Sequence, residues 1–105
     1  MILVNGFNVY PREIELAIDD LDGVAETAVV GVPDDETGEA VTALVVPKSG
    51  ASLTVEQIAE HCATRLARFK CPTSIRIVDA LPHSATGKVA KGRLREVHGD
   101  FGFST

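Results

Sequence analysis

Apolar and polar positions divide the first part of the chain into a hairpin and an amphipathic helix. The apolar run from Met1 to Val9 is interrupted by Asn5-Gly6, a dipeptide that favours a tight hairpin turn. Beyond Pro11, which suits the first position of a helix, apolar residues recur at helical spacing. They are Ile14, Ala17, Ile18 and Leu21. Asp22-Gly23 follows them and is a typical helix end.

The middle of the chain predicts two neighbouring strands and a second helix. Val24 to Val32 is rich in β-branched residues, and a turn cluster separates it from a second apolar run, Ala40 to Val46. We expect these two strands to pair in antiparallel. Thr54-x-x-Gln57 has the form of a capping box. The apolar positions after it predict an amphipathic helix that continues to Phe69. They are Val55, Ile58, Cys62, Leu66 and Phe69.

The last third predicts a strand, a loop and a short helix. Ser74 to Asp79 alternates around two isoleucines, and a helical pattern of Ala90, Leu94 and Val97 follows a loop. The order of elements indicates a small α+β domain: an N-terminal β-hairpin and a sheet of about three strands flanked by three helices. We place the domain at residues 1–98 and a frayed, disordered tail at 99–105.

Length and charge limit the classes of function. The chain of 105 residues suits one domain, and no apolar run reaches the ~18 residues of a membrane span. No secretory leader pattern is present, so we expect a cytoplasmic protein. The net charge is −5, but eight of the ten basic residues lie between Arg65 and Arg95, together with a single acid, Asp79. This asymmetry favours a phosphate-bearing partner such as a nucleotide or coenzyme A (CoA). A solvated basic surface remains the alternative, and the low pI disfavours nucleic acid.

Metal chemistry is not indicated. Cys62 and Cys71 are too few and wrongly spaced for a zinc site or a redox Cys-x-x-Cys motif. The three histidines show no ligand spacing either. We therefore predict no metal site, and we predict that Cys62 is a buried, reduced thiol.

One loop near the end carries the strongest chemical signal. It runs from Leu81-Pro82 through Thr86-Gly87-Lys88 and is followed by the last helical pattern. Gly87 allows a close approach of the backbone to a ligand or a sharp bend. Lys88 comes near the N-terminus of the predicted last helix, where the helix dipole would disfavour a cation. We therefore expect the loop to deliver the charge of Lys88 to an anionic ligand, with a solvated surface lysine as the alternative.

Four segments together resemble the adenylate-forming superfamily, which includes acyl-CoA synthetases, peptide-synthetase adenylation domains and luciferases. Residues 6–15 resemble its Gly-x-x-Val-x-Pro-x-Glu-Ile-Glu signature, and residues 29–34 with Gly38-Glu39 are similar to the next block. Residues 66–72 look like a third motif. Residues 81–95 are similar to the catalytic-lysine motif. The match covers nearly the whole chain in the expected order.

The resemblance implies the small C-terminal domain of an AMP-forming fatty-acid–CoA ligase. Lys88 is then the catalytic lysine that neutralises charge as the carboxylate attacks the α-phosphate of ATP. Gly87 and the hairpin residues Asn5, Gly6, Phe7 and Asn8 are then cofactor-binding, with the Asn5-Gly6-Phe7 turn along the CoA channel and Asn8 near the acyl-adenylate. A large N-terminal domain is the implied partner, and it holds ATP and the expected Mg²⁺. This fragment alone is expected to be inactive.

The same resemblance leaves some questions open. Asn8-Val9-Tyr10-Pro11 looks like the acyl-CoA ligase branch, whereas peptide-synthetase domains usually lack the proline. The Pro82-to-Lys88 segment resembles a site at which a lysine acetyltransferase modifies such ligases. Thr37 occupies a position that is basic in some relatives, which leaves the nucleotide end of CoA unassigned. The alternatives are a non-catalytic, stand-alone binding module and the C-terminal subdomain of a peptide-synthetase-type adenylation domain.

Overall fold

The computed structural model describes residues 1–81, and these form one five-stranded sheet with two α-helices. The α+β fold class is therefore confirmed. The strands are β1 (Ile2–Val4), β2 (Phe7–Val9), β3 (Val24–Asp34), β4 (Gly38–Pro47) and β5 (Ser74–Ile77). The helices are α1 (Pro11–Asp19) and α2 (Val55–Arg65), and a 3₁₀ turn spans Arg68–Lys70.

Strand β4 is the centre of the sheet. It pairs in antiparallel with β3 from Pro47 to Gly38, and this long ribbon confirms the predicted pairing. On its other side, β4 pairs in parallel with β5 and, at its first residue, with β1. The β1–β4 register holds one pair only, Val4 with Gly38. The hairpin is thus part of the sheet, although its attachment is short.

The sheet is covered on both faces. On one face, the buried side chains of α1 and α2 pack with alternate residues of β3 and β4. They include Ile14, Ile18, Ile58, Cys62, Val29, Val41, Ala43 and Val45. On the other face, Ala28, Val30, Val32 and Leu44 form a second cluster with Leu81. Burial on both faces explains why β3 and β4 have continuous apolar runs rather than alternating ones.

Helix α2 begins as predicted and ends earlier than predicted. The side chain of Thr54 accepts the backbone N–H of Gln57, and the Gln57 side chain accepts the N–H of Thr54, so the capping box is confirmed. The helix ends at Arg65, because Leu66 has an extended backbone with φ −124° and ψ 150°. Leu66 still packs on the helical core from this conformation. The apolar spacing therefore continued past the true end, and the prediction of a helix to Phe69 was wrong.

Helix α1 also ends before Asp22-Gly23, the helix end that the sequence predicted. It ends at Asp19, and the amide of Leu21 then bonds the carbonyl of Ile18 at 3.0 Å in a final turn. Gly23 has a φ of +94°, so its role is to reverse the chain after this turn. The predicted third helix and the boundary between domain and tail lie outside the described residues. None of the helices among residues 1–81 has the length and apolar character that a membrane span needs.

Candidate functional site

The Asn5-Gly6 turn forms the tip of the N-terminal hairpin. Both residues have positive φ, 52° for Asn5 and 82° for Gly6, as a two-residue turn of the hairpin type requires. A Cβ atom added to Gly6 would meet nothing within 4 Å. The backbone conformation is therefore what demands glycine here, and the tip has open space beside it.

The hairpin tip is held by the turn between β3 and β4. The amide of Asn5 donates to the carbonyl of Thr37 at 2.9 Å. The amide of Leu3 donates to the carboxylate Oε1 of Glu39, also at 2.9 Å. A side chain thus replaces the backbone partner that a longer β1–β4 ladder would supply. The two bonds fix the hairpin relative to the ribbon of β3 and β4.

The turn between β3 and β4 is stabilised by hydrogen bonds to the side chain of Asp34. Oδ1 of Asp34 accepts the backbone N–H groups of Glu36 and Thr37 at 2.9 and 3.0 Å. Both hydrogen bonds lower the pKa of Asp34 below its ordinary value, and the bond from Thr37 has the larger effect. The hydroxyl of Thr37 donates to the carbonyl of Glu39 at 2.7 Å, so this side chain is used within the turn. Thr37 therefore serves the geometry of the hairpin contact.

The predicted binding residues Phe7 and Asn8 lie on opposite faces of the hairpin. Phe7 is opposite Val4 and Asn8 is opposite Leu3, and successive side chains of a strand point to opposite sides. Phe7 lies against Phe69, with ring centroids 4.8 Å apart and planes tilted by 33°. Both rings remain exposed, Phe7 by 56% and Phe69 by 38%. An exposed aromatic pair beside an open glycine turn is suited to contact a ligand or a second domain.

Three basic residues, Arg65, Arg68 and Lys70, lie close together in the chain here, and Lys70 lies beside the aromatic pair. The ammonium of Lys70 lies 5.8 Å from the centroid of the Phe69 ring, and it forms an ion pair of 2.9 Å with Glu13 of α1. Arg65 is paired with Asp20. Arg68 is exposed and forms no ion pair within residues 1–81. The candidate cations therefore differ in availability, and Arg68 is the one with its charge free among the described residues.

Two acids of the signature segment, Glu13 and Glu15, contact other segments of the fold. Oε2 of Glu15 accepts the backbone N–H of Val29 at 2.9 Å, so it satisfies the outer edge of β3. Ile14 is fully buried in the core between them. Glu13 instead contacts Lys70, which the sequence did not predict. The signals available for this contact were the exposure of Glu13 and its position directly after the hairpin.

The candidate residues of the last loop lie outside the residues that the structure describes. Lys88 and Gly87 both follow residue 81, the last residue that the structure describes. Their assigned roles remain predictions. In residues 1–81, no three His, Cys, Asp or Glu side chains form a group that could hold a metal ion.

Comparison with known proteins identifies the family. The model of the AMP-binding enzyme C-terminal domain matches residues 13–88, and the chain belongs to this family. A methyl-dioxo-octahydroindenyl-propanoyl:CoA ligase of Rhodococcus jostii is 52% identical over 91% of this chain. The long-chain-fatty-acid–CoA ligase FadD13 of Mycobacterium tuberculosis is 46% identical over 91% of it.

A solved structure agrees with these relatives. The crystal structure of apo MatB from Rhodopseudomonas palustris has a TM-score of 0.89 and 47% identity, and the match covers 93% of this chain. The chain spans only 19% of the length of the two curated relatives and 20% of the MatB chain. The family and fold are thus established for a segment that corresponds to one small domain of longer proteins.

Proposed function

We propose that this chain is the mobile C-terminal domain of an ATP-dependent, AMP-forming fatty-acid–CoA ligase. The observation that carries the proposal is the 46–52% identity to CoA ligases over 91% of the chain. The resemblance of four motifs in order supports the same function. The open glycine turn and the exposed aromatic pair beside it give the domain a surface suited to a long, thin substrate.

In the first half-reaction, Lys88 serves as the catalytic lysine. A carboxylate oxygen of the fatty acid attacks the α-phosphorus of ATP, and the bond to the departing pyrophosphate breaks. Negative charge then accumulates between the two anions, and a positioned ammonium stabilises it. Gly87 lets the loop approach the phosphate closely. The N-terminal domain binds ATP, the acyl chain and the Mg²⁺ ion that accompanies the phosphates.

In the second half-reaction, the hairpin tip faces the N-terminal domain. The CoA sulfur attacks the acyl carbonyl carbon, and AMP leaves with the electron pair of the broken mixed-anhydride bond. Asn5, Gly6 and Phe7 line the path of the pantetheine arm, whereas Asn8, on the opposite face of the hairpin, faces the acyl-adenylate. Rotation of the domain between the two half-reactions explains how Lys88 and the hairpin serve one site in turn.

Location and regulation complete the proposal. The two cysteines of the chain are free thiols, which suits the reducing cytoplasm. Acetylation of Lys88 by a lysine acetyltransferase would remove the charge that adenylation needs. Incubation with an acetyltransferase and acetyl-CoA, followed by peptide mass spectrometry, tests this point. An unmodified Lys88 under conditions that acetylate a related ligase would contradict it.

A hybrid enzyme tests the main proposal. The chain is joined to the N-terminal part of the Mycobacterium tuberculosis long-chain-fatty-acid–CoA ligase FadD13, in place of that protein's own matching segment. We expect the hybrid to form acyl-CoA from fatty acid, ATP and CoA, and the N-terminal part alone to form little. A hybrid that folds, as judged by a cooperative melting transition, yet forms neither acyl-adenylate nor acyl-CoA would contradict the proposed function.

A further inference from the structure

An ion pair joins two segments that are far apart in sequence and adjacent in the fold. The ammonium of Lys70 lies 2.9 Å from Oε1 and 3.1 Å from Oε2 of Glu13. Lys70 is the last residue of the 3₁₀ turn, and Glu13 is in the first turn of α1. Since Glu13 follows β2 by four positions, the pair connects the 3₁₀ turn to the base of the hairpin.

A second contact joins the same two segments. The ring of Phe69 lies against Phe7, which directly follows the glycine of the hairpin turn. Lys70 lies near the face of the same Phe69 ring. The four residues therefore form a connected group, the brace, which consists of Phe7, Glu13, Phe69 and Lys70. The brace touches the hairpin at its tip and at its base.

The hairpin has few hydrogen-bonded links to the rest of the sheet, although its Ile2 and Val9 side chains are buried in the core. One register pair joins β1 to β4, and the hydrogen bonds of Asn5 and Leu3 add two further links. All three lie on the β4 side of the hairpin. Two-stranded hairpins alone are marginally stable in water. On the β2 side, where the open glycine lies, the brace adds the contact of Phe7 with Phe69 to these links.

We propose that Glu13 and Lys70 are positioning residues for the CoA-dependent half-reaction, an inference that rests on the proposed function. Their ion pair holds Phe69 under Phe7, and this contact fixes the hairpin tip that lines the path of pantetheine. Neither residue is required to touch the reacting atoms. Adenylation depends on the loop of Lys88, and it does not require this position of the hairpin.

The chain offers a matched control. Arg65 and Asp20 form another ion pair between the segment after α1 and the end of α2, away from the hairpin. Lys70 is more sheltered than Arg65, with 26% against 49% of the side chain exposed. Exposed ion pairs contribute little to stability in general, so loss of either pair should leave the fold intact. Of these two pairs, Glu13–Lys70 is the one connected to the hairpin tip, through Phe69.

The test uses the hybrid ligase described above with single substitutions. Lys70→Met keeps a long, unbranched side chain and removes the charge, and Arg65→Met is the control. Pyrophosphate release reports adenylation, and CoA ester formation from supplied acyl-adenylate reports the second step. We expect Lys70→Met to lower kcat/KM for CoA by about 10-fold to 100-fold, the range for a small misplacement of binding groups. Adenylation and the melting temperature should match those of Arg65→Met.

Further variants separate positioning from plain stability. Glu13→Gln should lower kcat/KM for CoA selectively, as Lys70→Met does. The double variant Glu13→Gln with Lys70→Met should be no worse than either single variant. Lys70→Arg keeps the charge and should retain the parent kcat/KM for CoA. Equal loss of both half-reactions, or no loss in either, would overturn the inference. If the positioning role is overturned but Lys88→Ala still abolishes adenylation, the proposed function stands without a positioning role for Glu13 and Lys70. A parent hybrid with neither activity would instead count against the proposed function.

Discussion

Gly31 of β3 leaves the space that the carboxylate of Glu39 fills. A Cβ atom on residue 31 would lie 2.5 Å from Oε2 of Glu39 and 3.1 Å from Cγ2 of Ile2. The other oxygen of the same carboxylate accepts the amide of Leu3. One glycine in β3 therefore permits a side chain of β4 to hold β1. This gives a physical reason for Gly31 and Glu39 in the second motif.

We predict that Gly31→Ala detaches Glu39 from the hairpin. The new methyl group would push the carboxylate away, and the amide of Leu3 would lose a charge-assisted hydrogen bond. We expect the free energy of unfolding to fall by about 1–3 kcal/mol, and the Leu3 amide to exchange faster with solvent. Urea unfolding and amide hydrogen exchange measure the two effects. In a Glu39→Ala background, the same glycine substitution should cost clearly less, and an equal cost would contradict the account.

A second prediction concerns Glu15, whose carboxylate is buried against the edge of β3. It is 7% exposed and accepts the amide of Val29. Glu15→Ala would leave that amide without its acceptor, at a cost of about 1–3 kcal/mol in unfolding free energy. Glu15→Gln keeps an acceptor oxygen and should cost less. Asp19→Ala, at an exposed acid of the same helix, should change stability by less than about 0.5 kcal/mol. Similar losses in all three variants would contradict the assigned role.

A third prediction follows from the buried thiol of Cys62. Burial, with a smaller effect of Cys71, raises the pKa of Cys62 from its ordinary 9.0 to about 11. The folded protein thus keeps this proton while the unfolded chain loses it. The free energy of unfolding is unaffected below the thiol pKa of the unfolded chain. It falls as the pH rises from that pKa to the higher pKa of the folded protein. Over this range we expect a loss of about 2–3 kcal/mol from this group.

The control for this prediction removes the thiol. Cys62→Ala should be less stable at neutral pH, because it leaves a cavity, but it should lose less stability between about pH 8 and pH 11. Urea unfolding of both proteins at several pH values gives the comparison. Parallel pH profiles for the two proteins would show that the thiol of Cys62 does not titrate as assigned.

The sequence predicted the features that depend on local patterns. The capping box at Thr54, the hairpin turn at Asn5-Gly6 and the pairing of the two long strands were all confirmed. Each of these depends on residues within a few positions or on a long apolar run. The family was also recognisable, because its motifs follow one another in order and a family model matches residues 13–88.

Contacts between distant segments could not be predicted in the same way. The pairing of β4 with β5 in parallel, the bond from Leu3 to Glu39 and the ion pair of Lys70 with Glu13 join residues 32 to 57 positions apart. Helical spacing also failed at Leu66, which reaches the core from an extended backbone. In each case the partner is chosen by tertiary packing, which a single sequence does not display.

The most direct test of the central claim is the effect of Lys88→Ala on the two half-reactions of the hybrid ligase. We predict that pyrophosphate release from ATP and fatty acid falls by about 100-fold or more, because the charge that stabilises the transition state is lost. CoA ester formation from supplied acyl-adenylate should remain near the parent rate. Lys48→Ala, which removes an exposed lysine after β4, should leave both unchanged. Unchanged adenylation in the Lys88→Ala hybrid would contradict the claim.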